Sequence, residues 1–93
     1  MRIKEAANAS SPPLLLNSNS SFLRAGKNRI NKISHLDKLN KLDVLDLHSN
    51  YINKMENLNS LNELRVLNLA GNNISTVENV GHLQSLTELN LRR

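Results

Sequence analysis

Shifted against itself by 22 residues, this chain stays in phase through eight columns. Leu42, Leu64 and Leu86 share one column, Leu45, Leu67 and Leu89 a second, and Leu47, Leu69 and Leu91 a third. Asn28, Asn50 and Asn72 follow, then Ile30, Ile52 and Ile74. Ile33, Met55 and Val77 continue the unit; Leu36, Leu58 and Val80, then Leu39, Leu61 and Leu83, close it. A fixed period of this length means that one short structural unit recurs, and that no unit can bury its own apolar face. The columns divide the chain into units 20–41, 42–63 and 64–85 and a partial unit 86–93. The first unit is degenerate, with Ser20 and Ala25 where its successors carry leucine. Residues 1–19 fall outside the period and are rich in Ser, Asn, Ala and Pro, a composition that predicts a disordered low-complexity segment.

Spacing changes midway through each unit. LDVLDL, LRVLNL and LTELNL alternate leucine with other residues, which predicts a short strand with one buried face. Beyond the asparagine, apolar residues recur every third position, as at Ile52, Met55, Leu58, Leu61 and Leu64. A three-residue period suits 3₁₀ or irregular turns better than a long α-helix. Asn57, Asn59, Ser60 and Asn62 also favour turns over helix interiors. Each unit then reads as strand, bend and tight return, and stacked units set their strands side by side in a parallel sheet along one concave face.

Composition removes whole classes of chemistry. The chain has no cysteine, hence no disulfide, no thiolate metal site and no cysteine nucleophile. Its longest apolar run is Leu14-Leu15-Leu16, far short of the ~18 residues that span a bilayer. Glu5 among the early basic residues, with Pro12-Pro13 ahead of the short apolar run, does not fit a secretory signal. The expectation is a soluble, cytoplasmic protein. Most of the 18 leucines fall in the repeat's columns, and of the 16 asparagines Asn28, Asn50 and Asn72 form a column of their own.

The pattern LxxLxLxxNxI, followed by I/VxxLxxL at a 22-residue length, resembles the leucine-rich repeats, in particular the short cytosolic subclass that includes phosphatase-regulating members. GKNRINKISHLDKLNKLDVLDLHSN, with ELRVLNLAGN and LTELNL after it, is similar to the leucine-rich-repeat subunits of tubulin polyglutamylase complexes. The resemblance covers residues 20–93 and implies an α/β solenoid with short parallel concave strands and 3₁₀ or irregular convex turns. It implies a non-catalytic scaffold, associated with the cytoskeleton, whose partners are the other subunits of a tubulin-modifying complex. The alternative it leaves is a regulatory subunit that binds a protein phosphatase catalytic subunit. No cofactor and no small-molecule substrate are expected. Leu86, Leu89 and Leu91 would end the stack on an apolar edge, so the solenoid reads as truncated and without a C-terminal cap.

The residues between the strand leucines point away from the core and form columns of their own. Val44, Val66 and Glu88 make one; Asp46, Asn68 and Asn90 another; His48 and Arg92 belong to a third, with Ala70 between them. On the concave face of a solenoid these residues are the candidate protein-binding surface, Val44 and Val66 as its apolar centre and Asp46 and His48 as polar neighbours. The alternative is an ordinary solvated surface. Asn28, Asn50 and Asn72 read differently: where strands end and the chain bends inward, a buried asparagine can satisfy backbone groups that have lost their ladder partners.

Other features carry less. His35, His48 and His82 show no metal-ligand spacing, and no serine sits in a nucleophile elbow. Asn8, Asn19 and Asn73 begin glycosylation sequons that would be silent without secretion. Charge is uneven: residues 24–41 carry six basic side chains against Asp37, whereas residues 42–91 carry six acidic ones against Lys54 and Arg65. The basic residues Arg24, Lys27, Arg29, Lys32, Lys38 and Lys41 occupy different positions of the repeat, so they should ring the stack and not line up as a nucleic-acid stripe. With one Phe, one Tyr and no Trp, stacking platforms for single strands are also missing.

Overall fold

Alternating leucines in successive units form four three-residue strands: β1, Phe22–Arg24; β2, Val44–Asp46; β3, Val66–Asn68; and β4, Glu88–Asn90. They were located in a computed structural model that describes residues 21–93; the low-complexity segment 1–19 lies outside the described residues. The strands make one parallel sheet in the order β1-β2-β3-β4. Its register is the 22-residue offset itself, with Leu23 beside Leu45, Leu45 beside Leu67 and Leu67 beside Leu89. Pairing extends past each strand through backbone bonds of 2.8 Å, Ala25 N–H to Asp46 O, Leu47 N–H to Asn68 O and Leu69 N–H to Asn90 O.

The return segments are built from turns, and no α-helix forms among the described residues. Leu39 N–H donates to Leu36 O and Leu42 N–H to Leu39 O, at 3.0 and 3.1 Å. Leu58, Leu61 and Leu64 repeat the arrangement, as do Val80, Leu83 and Leu86. Bonds closing every third residue are what a three-residue apolar period produces, because each apolar side chain returns to the same inner side. The helical half of the α/β expectation is therefore reduced to successive tight turns.

Each unit also bends twice through left-handed backbone. Lys27, Ser49 and Gly71 adopt φ of 58, 56 and 73°, each just before a column asparagine. His35, Asn57 and Asn79 adopt φ of 64, 60 and 59° further along. Both sets keep the 22-residue spacing. Five of the six are non-glycine residues in a conformation that side chains disfavour, so the surrounding contacts must hold them there.

Leucine, isoleucine and methionine columns fill the interior. Ile30, Ile33, Leu45, Ile52, Met55, Leu58, Leu64 and Leu67 have no exposed surface. Full burial of each is worth roughly 1.5–3 kcal/mol relative to exposure. Toward β4 the same columns open: Ile74, Val80, Leu86, Leu89 and Leu91 are only partly buried, and Val77 is 58% exposed where Ile33 and Met55 are fully covered. Residue type barely changes along a column, but burial does. It is complete or nearly so at Ile30, Ile33 and Leu36 as well as one unit later, and falls only toward β4.

Candidate functional site

The pleat sends the residues flanking each central leucine away from the core. On this side of the sheet Phe22, Val44, Val66 and Glu88 are aligned by strand pairing, as are Arg24, Asp46, Asn68 and Asn90. Val44 and Val66 are half-buried, Phe22 is 56% exposed and Glu88 is exposed. The expected apolar centre therefore extends one strand further, to Phe22, whose ring carries the Arg24 guanidinium at 5.4 Å. Phe22 and Arg24 were not among the residues expected from sequence. The offset from Val44 and Asp46 points to them, but the degenerate first unit conceals the strand.

The polar row is tethered. Asp46 Oδ1 accepts from the His48 N–H at 3.1 Å, Asn68 Oδ1 from the Ala70 N–H at 3.0 Å, and Asn90 Oδ1 from the Arg92 N–H at 3.1 Å. A side chain closing onto the backbone two residues later fixes the turn that leaves each strand. These residues have a structural task that column reasoning did not assign. His48 Nδ1 also lies 2.7 Å from Asp46 Oδ1. A Cβ on Gly26 would lie 2.1 Å from the His48 ring, so glycine there is what makes room for the imidazole. Arg92 is exposed at the far end of the same column.

Behind this surface lies the asparagine column. Asn50 Oδ1 accepts from the Ile30 N–H at 3.0 Å, and its Nδ2 lies 3.1, 2.8 and 3.1 Å from the carbonyls of Ala25, Leu47 and His48. Asn72 repeats this one unit later, with Ile52 N–H at 2.9 Å and the carbonyls of Leu47, Leu69 and Ala70. Both are buried, and no buried side-chain nitrogen or oxygen among the described residues lacks a partner. Asn28 bonds Ala25 O and Gly26 O but is half-exposed, because β1 has no described strand on its outer side.

A second polar column was not foreseen. Asn57 Nδ2 donates to Ile33 O and Asn79 Nδ2 to Met55 O, both at 2.6 Å, from left-handed positions on the return segments. His82 Nε2–H adds a 2.8 Å bond to Leu58 O. His48 and His82 thus serve two separate local structures. Among the described residues no group of three His, Cys, Asp or Glu could hold a metal ion. Between the first two returns lies an open hollow of about 370 Å³, whose only ionisable lining residues are His35 and Asp37.

At the sheet's other margin Arg65 clasps Asp43 with two bonds, Nε to Oδ1 at 2.5 Å and Nη2 to Oδ2 at 2.8 Å. That hydrogen bonding, reinforced by the guanidinium charge, holds the Asp43 carboxyl below the usual carboxylate range despite an opposing desolvation effect. The pair is solvent-exposed and links consecutive units.

No protein-family model and no curated protein matches this chain. No helix among the described residues is long and apolar enough to cross a membrane.

Proposed function

We propose that the chain is a leucine-rich-repeat solenoid that acts as a non-catalytic protein-binding scaffold. The observation that carries this reading is the strand-aligned row Phe22, Val44 and Val66, apolar and solvent-facing, beside a polar row whose side chains are fixed by bonds to the backbone. Side chains already held in place lose little freedom when a partner docks, which favours recognition without a deep pocket. The resemblance to leucine-rich-repeat subunits of tubulin polyglutamylase complexes names the partner class: the other subunits of such a complex, in a cytoplasmic, cytoskeletal setting.

The test is affinity capture from cytosol with the chain and with Val44→Glu/Val66→Glu, after circular dichroism and urea unfolding have matched their folds. Enrichment of tubulin-ligase subunits by the parent chain, lost in the variant, supports the proposal. Enrichment of a phosphatase catalytic subunit in their place transfers the scaffold to the regulatory reading. Equal capture of partners by both proteins removes the surface from consideration.

A further inference from the structure

The margin where the chain leaves each strand carries charge of one sign. In the stretches that open the returns, 27–32, 49–54 and 71–76, the charged residues are Lys27, Arg29, Lys32 and Lys54, and none is acidic. Elsewhere the signs mix: Asp43 clasps Arg65 at the opposite margin, and Asp37 adjoins Lys38 on the return. All four cations are exposed, and Tyr51 beside them is 61% exposed. Backbone bonds join the units along this margin: Lys27 N–H donates to His48 O at 2.9 Å and Tyr51 N–H to Ile30 O at 2.7 Å. Tyr51 is thereby seated beside the segment that carries Arg29 and Lys32, and Lys54 occupies the column of Lys32. Arg24, Lys38 and Lys41 do lie at other positions around the stack, but the remaining basic residues of the first unit share this one sector. Among the described residues the ion pairs are Asp43–Arg65 and Asp46–His48, so no carboxylate neutralises the four cations. Like charges held close together repel, and a bound anion relieves that repulsion.

We infer that this margin binds an acidic stretch of polypeptide, whose carboxylates are spread over Lys27, Arg29, Lys32 and Lys54 with Tyr51 among them. The surface lies outside the row formed by Phe22, Val44 and Val66, so the inference stands apart from the scaffold reading. The cations are distributed along one segment and across two units, not gathered on one point. That arrangement suits several single charges on a chain better than one phosphate group. In an extended peptide, side chains of one face recur at intervals of roughly 7 Å, which long, flexible lysine and arginine side chains can meet. Tyr51 offers a hydroxyl donor to a carboxylate and a ring face to the methylenes of a glutamate. A nucleic acid would ask for more, because its bases stack on successive aromatic side chains and Tyr51 is the single aromatic residue in these three stretches.

Fluorescence anisotropy of a labelled peptide of alternating glutamate and serine, titrated with the full chain, tests the inference. Binding that weakens as salt rises is expected, and the glutamine counterpart of the peptide should not bind. Arg29→Glu/Lys54→Glu should weaken binding by roughly tenfold or more. Lys38→Glu/Lys41→Glu makes the same change in net charge elsewhere on the stack and should alter binding by less than about twofold. Urea unfolding checks that both variants keep the parent's stability, and Arg29→Gln/Lys54→Gln, which reverses no charge, should weaken binding as well. Absence of binding at low salt overturns the inference, as does equal binding of the glutamine peptide. Equal loss in the two charge-reversed variants overturns it too, since net charge alone would then be the cause. Tighter binding of single-stranded DNA of matched length would overturn it in favour of a nucleic-acid surface.

Discussion

Asn50 and Asn72, in successive units, donate to one and the same backbone carbonyl, that of Leu47, at 2.8 and 2.9 Å. A carbonyl has two lone pairs, and here each is assigned to a different turn of the repeat. The asparagine column is thus a chain of shared acceptors, not a set of isolated caps. Replacing Asn50 by Leu strands the Ile30 N–H in a fully buried setting and removes a donor from three carbonyls. Each buried group left unpaired costs about 1–3 kcal/mol. Asn28→Leu should cost distinctly less, since water reaches that half-exposed position. Urea unfolding of the two variants side by side checks the ranking, and equal midpoints would remove the ladder account.

Leucines of a single column should differ in worth. Leu67→Ala leaves a hole in a fully enclosed site and should cost ~2–5 kcal/mol. Leu89→Ala, one unit along, removes a side chain that solvent already touches, so the monomer should lose much less.

Asn57 combines a left-handed backbone with a 2.6 Å bond to Ile33 O. Asn57→Ala forfeits the bond and replaces a side chain that tolerates left-handed backbone by one that does not, a backbone penalty of up to roughly 1–2 kcal/mol. Asn57→Gly forfeits the bond but relieves the backbone, so it should fall between alanine and the parent. Glycine unfolding below alanine would show that conformation is not what selects this residue.

The Asp43–Arg65 clasp should appear as a pH-dependent increment. Because the folded state holds the Asp43 carboxyl below its ordinary range, the pair's contribution is present at neutral pH. It fades as pH falls through the carboxylate range toward the lowered folded value. The stability gap between the parent and Arg65→Met should therefore be open at pH 7 and closed in strong acid. It should also shrink with salt, since the pair is exposed. A gap unchanged by pH would assign the effect to the arginine's aliphatic stem.

The sheet was legible because Leu45, Leu67 and Leu89 recur at a spacing that strand pairing then reproduces residue for residue. The three-residue turns were legible for the same reason: Leu58, Leu61 and Leu64 announce them by hydropathy. Asn57 and Asn79 were not, because they sit among other polar residues and the feature they share is a backbone angle. Asp46, Asn68 and Asn90 could be placed on the outer face by alternation, yet their bonds to the residue two further on have no counterpart in hydropathy. Phe22 and Arg24 escaped because Ser20 and Ala25 blur the unit that contains them. Patterns of burial can be read along a line of letters, whereas left-handed bends and side chains folded back onto the backbone belong to three-dimensional paths.

The side-chain bonds between units share one orientation. Asn50 reaches back to Ala25, Asn57 to Ile33, Asn72 to Leu47, Asn79 to Met55 and His82 to Leu58. Every coil is latched by the coil that follows it. Injury to one of them should therefore loosen the segment preceding it before the segment after it, so that the molecule, like a zip, comes undone in a preferred direction.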